Sequence, residues 1–208
     1  MSKFVRNLLA SAAIAGSTAS FAAPITLTLT GPLQGADQTQ QTFNNPCFFG
    51  DPSCSPGLLG TKTVFPAGGG GQTYQETQSY ALSTVRSAVG NRWDIGIDVN
   101  TTEAAGETLD LFTIKIDGVV IYTYSGGANI AAGIANGTGF SDWLLSAVDL
   151  TGLVGTTLTF DVKISNATDG REQLFIIDRP ETPVPVPLPG SLALLGLGLL
   201  ALSRRKAS

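Results

Sequence analysis

Alternation is the most regular pattern in this chain of 208 residues. From Ile25 to Thr30 an apolar side chain stands at every second position, the period of a strand with one buried face. The same period returns at Trp93, Ile95, Ile97 and Val99, and again at Leu158, Phe160, Val162 and Ile164. Between them, Leu109 to Tyr124 predicts two strands joined at Asp117-Gly118, a dipeptide that accepts the positive φ angles of a type I′ hairpin turn. Leu109, Leu111, Ile114 and Ile116 flank one side of that hairpin, and Val120, Tyr122 and Tyr124 mark the returning face. The parity slips between Leu111 and Ile114, which predicts a bulge or a doubly buried stretch. Residues 74–85 (YQETQSYALSTV) and 172–180 (EQLFIIDRP) read as further strands. Residues 140–150 fit a strand or a short helix, and residues 128–139 fit a loose loop with a helical turn. The glycine run at 66–71 reads as a long loop inside one domain. Short strands at this spacing, broken by Gly, Asn and Asp, predict an all-β fold over residues 23–179: an antiparallel β-sandwich of the jelly-roll kind.

Both ends depart from this pattern. Lys3 and Arg6 precede an alanine-rich apolar run, and Ser20-Phe21-Ala22 sets small residues before a break between Ala22 and Ala23. That layout predicts a secretory signal peptide over residues 1–22, read by the Sec export machinery. At the other end, prolines at 180, 183, 185, 187 and 189 forbid helix and sheet ladder alike, so residues 180–191 form an extended spacer. Residues 192–203 are apolar or small, and residues 204–208 hold Arg204, Arg205 and Lys206. A helix from Leu192 to Leu202 would rise about 16 Å, short of the roughly 30 Å hydrocarbon core. The segment is therefore a marginal membrane span, with its cations on the cytoplasmic side.

Charge is segregated as well. Between Arg6 and Arg204 the chain carries seven cations against sixteen acids, a net charge of −9. Such a surface repels nucleic acid and suits life outside the cell or calcium coordination. The chain has no histidine, which excludes Ser-His-Asp and Cys-His catalysis and a histidine-ligated zinc site. Cys47 and Cys54 are the only cysteines, and in an oxidising compartment they are expected to pair and pin a small loop.

Three kinds of site suggest themselves in the central domain. Asp94 and Asp98 fall on one strand face, expected to be the solvent face, about 13 Å apart at ~3.3 Å per residue. That is too far for a carboxylate pair of the glycosidase kind without an acid from a neighbouring strand. Calcium needs only oxygen ligands, and the densest acid stretches are 100–110 (Asn100, Glu103, Glu107, Asp110) and 165–172 (Asn166, Asp169, Glu172). Asp94, Asp98, Asp110 and Asp169 are the individual candidates, against the plainer reading of solvated faces and turn chemistry. Trp93, Trp143, Tyr74, Tyr80, Tyr122 and Tyr124 would make a sugar-stacking platform if several faced outward together, and a core if they faced inward.

The tail resembles the PEP-CTERM sorting signal of exosortase substrates: a proline motif, a Gly/Leu-rich segment and terminal arginines. Val186-Pro187-Leu188-Pro189 stands where that family has Val-Pro-Glu-Pro, and is similar to its VPLP-type variant, with Arg204 and Arg205 closing the signal. The resemblance implies a Gram-negative envelope, transient residence in the inner membrane, processing by an exosortase-type enzyme and delivery to the surface or matrix. It also implies an association with exopolysaccharide and biofilm. The expectation that follows is a non-catalytic structural or adhesive protein in contact with extracellular polysaccharide. A calcium-dependent carbohydrate-binding module is the alternative, and a carboxylate-based glycoside hydrolase stands behind it.

Overall fold

The computed structural model describes residues 23–66, 71–101, 106–133, 137–168 and 170–179. The signal peptide with Ala22, the sorting residues Val186 to Pro189, Arg204, Arg205 and the calcium candidate Asp169 lie outside them. Among the described residues, twelve strands and one α-helix follow in chain order, with two single 3₁₀ turns between them. They are β1 (Ile25–Thr26), β2 (Thr28–Thr30), β3 (Cys47–Gly50), β4 (Thr63–Val64), β5 (Gln72–Ala81), α1 (Leu82–Val89) and β6 (Arg92–Asp98). After these come β7 (Glu107–Ile116), β8 (Val119–Tyr124), β9 (Ala128–Ile130), β10 (Trp143–Asp149), β11 (Thr157–Ala167) and β12 (Gln173–Asp178).

The strands make two facing sheets. The first runs β1-β8-β7-β11-β5, with β9 also paired to β7, and the second runs β2-β10-β6-β12-β3-β4. Pairing is antiparallel except at one edge of each sheet, where β1 lies parallel to β8 and β4 parallel to β3. Ile25 to Thr30 is thus not one strand. The chain passes from the first sheet to the second at Leu27, whose side chain is buried between them.

Aromatic rings fill the space between the sheets. Phe160 of β11 stacks on Phe48 of β3 at 4.3 Å between centroids and meets Trp93 of β6 at 5.9 Å. The alternation at Leu158, Phe160, Val162 and Ile164 points all four inward. Asp117-Gly118 makes the expected turn, with φ of 48° and 83°. The parity slip is a bulge at Asp110: Leu109 opposes Ile164 while Leu111 opposes Lys163. Leu109 therefore faces the core, Leu111 turns outward, and Phe112 takes the inward place expected of Leu111.

Two stretches differ from the sequence expectation. The strand expected over 74–85 stops at Ala81, and Leu82 begins the helix α1. Leu82, Val85 and Val89 fall at i, i+3 and i+7 and are buried. The inward parity of Tyr80 and Leu82 hides that change of period. Residues 143–149 resolve as strand, and β9 occupies part of the stretch expected to be loop. Cys47 and Cys54 are joined by a disulfide. It packs with Phe175 and Ile177 on the outer side of the second sheet. Gly96 makes room for that small cluster, since a Cβ there would sit 2.7 Å from the Phe175 ring.

Candidate functional site

Antiparallel order carries the end of β6 and the starts of β7, β10 and β12 to the same end of the sandwich. Each contributes one acid, and Asp98, Glu107, Asp142 and Glu172 are all fully buried. Each ties one loop to another. Asp98 Oδ2 accepts the Gly139 N–H at 2.8 Å. Asp142 Oδ2 accepts the Val99 N–H at 2.9 Å, and its Oδ1 accepts the Gln38 side-chain amide at 3.2 Å. Glu172 Oε2 accepts the Asn100 N–H at 2.6 Å, and Glu107 Oε1 accepts the Thr168 N–H at 3.4 Å. The other oxygens of Asp98 and Glu172 are buried without a hydrogen-bond partner.

Arg92–Asp149, Lys115–Asp161, Lys163–Asp110, Arg171–Asp51 and Arg179–Asp94 form ion pairs at the surface. Burial pushes the Asp98 carboxyl up to about 7; the Gly139 and Gly137 N–H groups pull it back, and the neighbouring Asp142 adds to the rise. Burial also lifts Glu172 well above the carboxylate range, and Glu107 and then Asp98 reinforce the shift. Asp142 is raised by burial against the pull of its Val99, Gly133 and Gln38 hydrogen bonds. Burial and the closeness of like charges thus raise Asp98, Asp142 and Glu172 together at this end of the fold. Among the described residues no group of three or more Asp, Glu or Cys side chains is arranged to hold a metal ion.

The individual candidates separate. Asp98 is buried and not on a solvent face, because the turn around Gly137 and Gly139 closes over it. Asp94 stays at the surface: its Oδ1 accepts the Ala147 N–H at 2.8 Å and its Oδ2 lies 3.6 Å from Arg179. Asp110 sits at the bulge and faces Lys163 at 3.5 Å, away from the cluster. The two acid-dense stretches do converge, through Glu107 and Glu172. Asp142 was not singled out by sequence reasoning, and no spacing marks it. Glu107 had a readable signal: it shares the inward parity of Leu109.

Beside the cluster, Gln40, Gln41, Ser53, Thr138 and Gln173 line a polar cleft of about 260 Å³, reached from Asp98 through Gly139. The aromatic platform is absent from the candidates named. Trp93, Tyr74, Tyr80, Tyr122 and Tyr124 are buried, and Trp143 is half-buried with its indole N–H donated to the Ala131 carbonyl at 2.8 Å. Among the described residues no helix is long and apolar enough to cross a membrane.

Comparison with known proteins bears on the tail. Residues 185–207 match the model of the PEP-CTERM protein-sorting motif. The chain carries that motif, which marks an exported, exosortase-targeted protein sorted to the cell surface of a Gram-negative bacterium. The match is to the motif as a whole and does not single out a VPLP variant. No curated protein and no solved structure matches the chain.

Proposed function

We propose that the exported domain is a non-catalytic component of the cell surface or extracellular matrix that makes adhesive contact with exopolysaccharide. The sorting motif carries this reading, because it delivers the sandwich to the place where such polymers lie. A core packed with aromatic and aliphatic side chains and a disulfide-pinned loop suit long residence outside the cell. The polar cleft is the contact surface in this reading, since amide and hydroxyl groups hydrogen-bond sugar hydroxyls without an aromatic platform.

The net charge of −9 between Arg6 and Arg204 favours neutral polymers over uronic-acid ones at low ionic strength. A polysaccharide array probed with the exported protein tests the reading. Binding to neutral polymers is expected, weakened several-fold in Gln40→Ala. Absence of binding to every neutral and acidic polymer overturns it.

A further inference from the structure

Two acids from opposite sheets meet inside this fold. Glu107 begins β7 of the first sheet and Glu172 stands just before β12 of the second, and both are fully buried. Their side chains are hydrogen-bonded to each other. Each also keeps an oxygen for a loop: Glu172 Oε2 accepts the Asn100 N–H at 2.6 Å, and Glu107 Oε1 accepts the Thr168 N–H at 3.4 Å. No N–H or hydroxyl group reaches Glu172 Oε1. An ionised carboxylate only accepts, so a hydrogen bond between two carboxyl groups exists only while one of them holds a proton. Two like charges buried side by side do not both ionise at neutral pH.

We infer that Glu107 and Glu172 share one proton, which latches the two sheets and the loops at Asn100 and Thr168 together and is released as the pH rises. The surroundings favour the bound proton. Among the described residues, Asp98 of β6 adds negative charge next to Glu172, and Asp142 of β10 stands beside Asp98. Tyr74 of β5 faces both glutamates; burial and then their charge raise its phenol, so it stays neutral. Arg171 pulls Tyr74 the other way, but its Nη1 lies 3.6 Å from Asp51.

The sign follows from linkage. Burial, with Glu107 beside it, raises the Glu172 carboxyl in the folded state, whereas a glutamate in the unfolded chain titrates at about 4.3. The folded state therefore binds a proton that the unfolded chain has released. The contribution of the pair is full below about pH 4.3 and is lost as the pH rises through the folded value. The latch is independent of polysaccharide contact.

Thermal melting of the exported protein from pH 5 to pH 8 tests this. For one proton held only by the folded state, each pH unit should lower the folding equilibrium constant about tenfold and the Tm by roughly 3–5 °C. Glu172→Gln gives Glu107 a permanent N–H donor, so its profile should flatten to the slope left by Asp98, and its Tm at pH 8 should exceed that of the wild type. Asp98→Asn should keep the steeper fall due to the pair. Glu107→Gln supplies the same donor from the other side and serves if Glu172→Gln fails to fold. Infrared spectroscopy of the wild-type protein at pH 7 should show a protonated-carboxyl band that weakens in either glutamine variant. A wild-type Tm that is flat from pH 5 to pH 8, or the absence of that band, overturns the latch. It is overturned equally if both glutamine variants fold and track the wild-type profile in parallel.

Discussion

Phe48 and Phe160 stack across the two sheets at 4.3 Å, and Phe160 also lies within ring-contact distance of Trp93, Tyr80 and Phe112. One side chain of β11 therefore holds strands of both sheets. Phe160→Ala should destabilise the domain by about 3–5 kcal/mol, because the hole it leaves is bounded by rings from both sheets that collapse poorly. Equilibrium denaturation measures this. A loss below about 1 kcal/mol would show that the stack is not the centre of the core.

The Cys47–Cys54 bond closes a short loop next to Phe175 and Ile177. Replacing both cysteines by serine should cost about 2–3 kcal/mol by loop entropy, with the fold retained. Denaturation of the variant beside the wild-type protein checks the size. Complete unfolding would mean that the disulfide bears far more of the domain than one loop.

Asp161 gives an acid-side prediction. Burial pushes its carboxyl up, but hydrogen bonds from Lys115, Thr77 and Thr113 outweigh that effect and hold it below the usual range. A carboxyl lowered in the folded state binds fewer protons than in the unfolded chain, so its contribution is present above about pH 4 and fades as pH falls further. The stability gap between wild type and Asp161→Asn should be constant from pH 8 to pH 5 and narrow below pH 4. A gap independent of pH down to pH 2 would contradict the assignment.

The sorting motif predicts a chemical boundary. Mass spectrometry of the surface-delivered protein should recover peptides up to the proline spacer and none beyond Leu192, which lies inside the matched stretch. Tail peptides persisting in that fraction would show that the segment is retained.

Local rules explain what was legible in the sequence. The turn at Asp117-Gly118 and the inward set on β11 depend on a few adjacent residues, and both stand as expected. Features set by distant partners were not legible. Leu27 lies at a crossover because β8 and β10, far along the chain, claim the two halves of one alternating run. Asp98 is buried because a turn around Gly137 and Gly139 folds over it, and nothing in the stretch from Trp93 to Val99 records that cover. Glu107 begins β7 of the first sheet and Glu172 stands just before β12 of the second, so they meet only because the two sheets pack face to face. The sorting motif is the opposite case, a contiguous signal that needs no fold to be read.

The position of β12 has a mechanical meaning. It is the last strand of the domain, yet it lies inside the second sheet, between β6 and β3. Six consecutive residues, Gln173 to Asp178, pair with β6, and Arg179 is fastened further by its N–H to the Arg92 carbonyl at 3.0 Å. The spacer and sorting motif continue directly from this strand. A force applied at Arg179 along the strand axis would load the rungs between β12 and β6 together in shear, instead of peeling an edge one rung at a time. The C-terminal end of the domain is thus held on both sides, by β6 and by β3, where an edge strand would be held on one.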